Sequence, residues 1–187
     1  MNSKILIIYA HPNKNGFCGE VLKQILKQNK NCEVLDLYSM KYDIILKNDE
    51  LYSRNNRKVA KETKLLQEKI KQFEKFIFIY PNWWQNIPAI LKGFIDRVFI
   101  SDFAFKYVKG MPKGLLSGKA IVISTCGAPK FVSTIIKGNR AVKLITDDVL
   151  RYCGIKAKGF VIGSALNLNN KRKLEIEKVV TKALKFL

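Results

Sequence analysis

Three short stretches hold the residues best placed to do chemistry. The first is AHPNKNGFC, residues 10–18. It ends in Asn15, Gly16 and Phe17, where a helix-period segment begins. Backbone N–H groups at a helix start lack intrahelical partners and face the positive end of the dipole, so they can hold a phosphate. His11 and Cys18 flank that turn; His11 can touch the anion or simply satisfy loop carbonyls. An ordinary strand-to-helix loop would use the same residues. The second stretch is PNWWQNIP, with Pro81, Asn82, Trp83 and Trp84. Pro81 stops a strand and Pro88 suits the first turn of a helix. A planar heteroaromatic ring can lie against this backbone and a tryptophan edge. Equally, the two tryptophans can anchor a subunit interface, a role in which tryptophan is enriched. Both readings hold together if the site lies at an interface. The third stretch is STCGAPKF. Thr125 ends a strand, Gly127 allows close backbone approach beside Cys126, and Pro129 redirects the chain. Its amides can hydrogen-bond a carbonyl-rich ring, and a plain turn fits too.

The rest of the composition removes competing chemistries. There is one histidine, and the four cysteines are scattered with no C-x-x-C pair. That argues against zinc and against a disulfide framework. No Ser-His-Asp set, Cys-His pair or spaced carboxylate pair occurs, so the hard chemistry of an enzyme built this way falls to a cofactor. The N-terminal MNSKILIIYAHP reads as a first strand rather than a leader, and no apolar run is long enough to span a bilayer. Both point to a cytoplasmic protein. The formal net charge is +19. The lysines are dispersed, with no long block, which reads as a solvated basic surface that attracts anionic cofactors rather than as a nucleic-acid site.

The elements that must position the three stretches follow from hydrophobic period. Five short apolar runs, 5–9, 34–37, 76–80, 120–124 and 160–162, suit strands of a parallel sheet buried on both faces. Between them lie five stripes with helical spacing: Cys18–Leu26, Val59–Phe73, Leu91–Val98, Val142–Val149 and Ile176–Leu187. Strands alternating with helices over 187 residues predict one three-layer α/β domain, residues 1–187. Neither G-x-G-x-x-G nor G-x-x-x-x-G-K-[ST] follows the first strand, so the flavodoxin-like order 2-1-3-4-5 is expected rather than half of a Rossmann fold. Ligands then bind beyond the carboxyl ends of the strands at the switch point, where the three stretches meet. The long connection 101–119 places Phe103, Phe105 and Tyr107 in alternation, as core cover or as a substrate wall.

The pattern P-x-W-W-x-x-x-P-A-x-L-K-G-x-x-D-R-V-F, from Pro81 to Phe99, continues as F-A-F-x-Y and G-L-L-x-G-K. With H-P-x-x-x-x-F-C at His11 and C-G-I-K at Cys153, it resembles the NAD(P)H:quinone oxidoreductases of the flavodoxin-like superfamily. Bacterial drug-activity-modulator and potassium-efflux ancillary flavoproteins are among them. The resemblance spans almost the whole chain and implies a bound flavin, a homodimer with the site at its interface, and ping-pong two-electron transfer. NADH or NADPH is then the donor, and a quinone or related small electrophile the acceptor. By position, His11, Gly16, Phe17 and Cys18 would line the phosphate site. Pro81, Asn82, Trp83 and Trp84 would border the isoalloxazine ring, and Thr125, Cys126 and Gly127 its pyrimidine side. FMN is expected over FAD, because the chain stops after its fifth helix. Two departures stand out. Gly16 replaces a Ser or Thr of the family, and the Tyr and His that some members carry near the substrate have no counterpart between Pro129 and Asn139. The ancillary flavoproteins also imply an alternative: a regulatory subunit docking on a membrane transporter or an acidic partner, with little turnover.

Overall fold

The computed structural model describes residues 4–51, Ser53 and 57–187. Five parallel strands form the main sheet: β1 (Ile5–Tyr9), β2 (Cys32–Asp36), β3 (Lys75–Pro81), β6 (Lys119–Thr125) and β7 (Lys156–Ile162). Their order across the sheet is β2-β1-β3-β6-β7, which is 2-1-3-4-5 when only these five are counted. This is the flavodoxin-like arrangement that the alternation of runs and stripes predicts. In the centre Ile8 sits beside Phe78, and Ile79 beside Ile123.

Successive side chains of a strand point to opposite faces, so each central strand feeds two cores. Leu6 and Ile8 join Phe76 and Phe78 on one side, under α2 (Lys61–Lys71), α3 (Ala89–Val98) and the chain after Asn139. Ile5, Ile7 and Tyr9 join Ile77 and Ile79 on the other, under α1 (Phe17–Gln28) and α5 (Asn170–Leu184). Burial on both faces holds for the central strands only. The edge strands β2 and β7 leave Val34, Lys156 and Lys158 exposed, because each has a partner along one side alone. Lysines on an edge also discourage pairing with another sheet.

Three local features differ from the sequence expectation. The connection 101–119 contains an antiparallel hairpin, β4 (Phe105–Val108) and β5 (Met111–Gly114). Phe103 therefore leaves the predicted alternation: it is buried against Phe99, while Phe105 packs edge-on against Tyr107 within the hairpin. The fourth stripe is a short helix, α4 (Arg140–Lys143), that continues in π-helical winding over Leu144–Arg151. Such widened turns place successive side chains off the 3.6 period and are frequent near functional sites. Pro88 is the N-cap of α3 rather than its first helical residue. The Arg97 of the D-R-V-F run lies at the end of α3, buried, and bonds the Glu50 carboxylate and the Asp43 carbonyl. It ties the 43–50 connection to the helix, a structural task.

Candidate functional site

A crevice of about 400 Å³ opens beyond the carboxyl ends of β1, β3 and β6. Its walls hold His11, Gly16, Phe17 and Cys18 from the first loop, Pro81, Asn82 and Trp83 from the second, and Thr125, Cys126 and Gly127 from the third. Of the residues assigned to the flavin site from sequence, Trp84 alone lies outside it, and the aromatic run Phe103, Phe105 and Tyr107 does not reach it either.

The first loop is shaped by its own side chains. The Asn13 amide donates to His11 Nδ1 at 2.9 Å, and the Asn15 amide donates to Asn13 Oδ1 at 2.8 Å. The first bond leaves the neutral imidazole with its proton on Nε2, free to donate. Burial holds the His11 pKa below its ordinary value, so the ring is neutral at pH 7. Gly16 caps α1 in an extended conformation without a side-chain bond to the helix. The amides of the first turn are therefore left to a ligand. Gly19 makes this approach possible: a Cβ there would lie 1.7 Å from the Lys14 carbonyl oxygen.

The second loop reverses the chain in two residues. Trp83 and Asn86 exchange backbone bonds of 3.1 and 2.9 Å, and Trp84 and Gln85 between them both hold positive φ, 53° and 59°. Such turns favour Asn-Gly; bulky residues hold these angles under strain, which clusters at functional positions. The turn sends the two tryptophans apart. Trp83 is 43% exposed on the crevice wall, its ring 5.8 Å from that of His11, whereas Trp84 is fully exposed. Behind it the Asn82 amide N–H donates to the Thr125 carbonyl at 2.7 Å.

The third loop stands on buried groups. Thr125 Oγ1 lies 3.2 Å from Cys18 Sγ, joining the floors of the first and third loops. Burial pushes the Cys18 thiol up to about 12 and the Cys126 thiol upward too, so both are protonated packing groups near pH 7. Gly127 stays exposed.

Sequence reasoning missed a fourth wall. Ala165, Leu166 and Leu168, from the connection after β7, also line the crevice. The Ala165 amide donates to the Cys126 carbonyl (2.9 Å) and the Ser164 amide to the Ala128 carbonyl (2.8 Å), pinning this segment to the third loop. Nothing in its residue types announces chemistry. The available signal was topological, since every connection leaving the carboxyl edge near the switch point borders the same crevice. Asn13 was missed for the same want of a distinctive type.

The arrangement suits an anionic, planar ligand. No carboxylate lines the crevice among the described residues, a helix start faces it, and the remaining walls carry the His11, Phe17 and Trp83 rings, Leu166, Leu168 and smaller side chains. No group of three or more His, Cys, Asp or Glu residues able to hold a metal ion is found among the described residues.

Comparison with known proteins agrees with this geometry. A family model described as "Flavodoxin-like fold" matches residues 3–187. An "Uncharacterized NAD(P)H oxidoreductase" of Haemophilus influenzae is 32% identical over 182 residues, covering 92% of this chain and 90% of that protein. The human "Ribosyldihydronicotinamide dehydrogenase [quinone]" is 31% identical over 179 residues, covering 82% and 78%. Among solved structures, an FMN-dependent NADH-azoreductase of Bacillus anthracis, in complex with FMN, superposes with a TM-score of 0.76. It is 20% identical and covers 96% of this chain and 98% of that one, a likeness of fold.

Proposed function

The chain belongs to the family of flavodoxin-like fold, and from that premise we propose that it is an FMN-dependent NAD(P)H oxidoreductase that reduces quinones or related electrophiles by two electrons. The observation that carries this reading is the crevice itself: an uncapped helix start for a phosphate next to a backbone-lined, carboxylate-free slot for a planar ring. Both sequence relatives carry the name of a nicotinamide-linked oxidoreductase, and neither supports the regulatory alternative. The fit is chemical. The Phe17 and Cys18 amides and the Nε2–H of neutral His11 would donate to phosphate oxygens, Trp83 would cover one ring edge, and the Gly127 amide would meet a ring carbonyl, the Cys126 amide being taken by the Ile162 carbonyl. When bound, a flavin would supply the two-electron redox chemistry between a nicotinamide donor and the acceptor. The protein binds and orients both partners in turn, which needs no protein acid or base for the hydride step.

The reading extends to a cytoplasmic homodimer in which residues 1–187 act as one flavin-binding domain. No helix among the described residues is long and apolar enough to cross a membrane. Trp84 at full exposure, Met111 at 70% and Tyr107 at 58% offer the large apolar contacts that a subunit interface buries. The test is an absorption titration of the purified chain with FMN and with FAD, followed by anaerobic NADH and NADPH. Uptake of FMN and bleaching of its visible band by a nicotinamide are expected. A chain that never takes up flavin would sink the proposal.

A further inference from the structure

The +19 charge is not spread evenly among the helices. On α1, Val21 and Ile25 face the core, so Lys23 and Lys27, with Lys30 just beyond the helix, face outward. On α5 the buried residues are Ile176, Val180 and Ala183, which turns Lys171, Lys178, Lys182 and, after the helix, Lys185 to solvent. The two helices pack side by side and present these seven lysines on one face. Only Lys27 of the seven has a carboxylate partner among the described residues, Glu177 at 3.7 Å. The other acids of this layer are spent elsewhere: Glu20 is buried and Glu175 is held by Arg172. The opposite layer pairs more of its cations, setting Lys69, Lys71, Lys92, Arg97 and Arg151 against Glu33, Glu68, Asp96, Glu50 and Asp147, although Lys61, Lys64, Arg140 and Lys143 there have no ion pair among the described residues.

Leucines lie among the unpaired lysines. Leu22 and Leu26 floor a shallow groove of about 400 Å³ rimmed by Lys23, Lys27 and Lys30. Leu174, 59% exposed, sits in a second groove with Lys178, Lys182 and Lys185. Long lysine stems cover apolar surface while their ammonium groups reach outward. We propose that the α1/α5 face docks the protein on an anionic lipid bilayer, with the lysines at the headgroups and Leu22, Leu26 and Leu174 at the acyl boundary. Each basic residue near such a surface is attracted, and the effect accumulates along a face. A nucleic acid would be better met by stacking aromatics or free guanidinium forks. This face has neither: exposed Trp84, Tyr107 and Phe131 lie on other elements, and Arg172 is bound to Glu175 and the Gly163 carbonyl. Phe17 at the start of α1 and Leu168 just before α5 line the crevice, so the crevice adjoins the N-terminal end of this face.

The test is sedimentation of the full chain with vesicles of phosphatidylcholine alone or mixed with phosphatidylglycerol, at low and high salt. Two variants carry equal charge changes. One has Lys23→Glu, Lys30→Glu, Lys178→Glu and Lys182→Glu; the other has Lys61→Glu, Lys64→Glu, Arg140→Glu and Lys143→Glu on the opposite layer. All eight side chains are exposed, and circular dichroism confirms folding. The unaltered chain is expected to bind anionic vesicles alone and to leave them at high salt. The first variant should lose at least about a hundredfold in partitioning and the second far less. Equal losses would assign binding to net charge and overturn the proposal, as would absence of binding to anionic vesicles. Tighter binding to a single-stranded oligonucleotide, removed by the first set of substitutions, would overturn it in favour of nucleic acid.

Discussion

Two of the cavities among the described residues are similar in size and opposite in character. The crevice at the carboxyl edge, about 400 Å³, is walled by loops that bring polar side chains, the His11, Phe17 and Trp83 rings and Leu166 and Leu168 to it. The second, about 360 Å³, lies between α3, the β4–β5 hairpin and the π-helical segment, walled by Ile95, Phe99, Phe105, Val149 and Tyr152. The second is the more apolar and would be chosen on apolar lining alone. Yet several of its polar groups already answer one another: Arg57 bonds Ser101 and Asp102, and the Tyr152 hydroxyl meets that of Tyr107 at 3.1 Å. In the crevice the donors of a helix start have no intrahelical acceptor. A ligand site is marked by unmet hydrogen-bonding capacity at a fixed place, more than by apolar volume.

The strongest way to break this contrast is to close the helix start. Gly19→Ala places a methyl group against the Lys14 carbonyl, so the first loop must move off α1. Overpacking of this kind costs about 1–3 kcal/mol, read by thermal or denaturant unfolding. FMN affinity should fall at least roughly tenfold, the equivalent of one hydrogen bond to a charged group. Unchanged affinity in the folded variant would mean that the first loop does not hold the phosphate.

Next in size is the division of labour between the tryptophans. Trp83→Ala should weaken FMN binding about tenfold and leave the oligomeric state unchanged, because it removes a wall of the crevice. Trp84→Ala should leave FMN affinity within about twofold and weaken self-association, by about 2 kcal/mol if the residue behaves as an interface anchor. Flavin fluorescence titration and sedimentation velocity separate the two. Exchange of these effects would place Trp84, not Trp83, against the ring.

That division was out of reach of the sequence. Periodicity tells neighbouring residues apart in a strand or a helix, but Trp83 and Trp84 lie in a turn, where positive φ at Trp84 and Gln85 decides the directions. The main sheet was legible because Ile5–Tyr9, Phe76–Tyr80 and Ala120–Ser124 are unbroken apolar runs that only a sheet covered on both faces buries. The hairpin was not, since β5 is Met-Pro-Lys-Gly, largely exposed and without alternation. The Lys109-Gly110 pair, both at positive φ between Val108 and Met111, was its one local mark. The first three walls of the crevice were readable from Gly, Pro and Trp at strand ends. The fourth, Ala165 to Leu168, is held by backbone bonds that ordinary side chains do not advertise.

A smaller effect tests the second cavity. Tyr152→Phe removes the hydroxyl contact to Tyr107, near the surface, and should change stability by no more than about 0.5 kcal/mol. FMN affinity should not move. If flavin binding weakened instead, the hairpin cavity and the crevice would be coupled, and the contrast between them would fail.

The smallest effect sharpens the contrast most directly, because the chain has a single histidine and its ring resonance is unambiguous. Burial lowers the His11 pKa, so in the free protein its titration midpoint should lie below 6.5. The sign for stability follows. Above the unfolded value of about 6.5 the ring is neutral in both states, and its full contribution is present. As pH falls below that value the unfolded chain takes up the proton first, and stability declines toward the lower, folded midpoint. A phosphate beside Nε2 favours the charged ring, so FMN or inorganic phosphate should move the midpoint upward. Tyr152→Phe should leave it alone. A midpoint indifferent to FMN, in a chain that binds FMN, would put the phosphate elsewhere in the crevice and leave His11 the lesser task of holding the Asn13 amide.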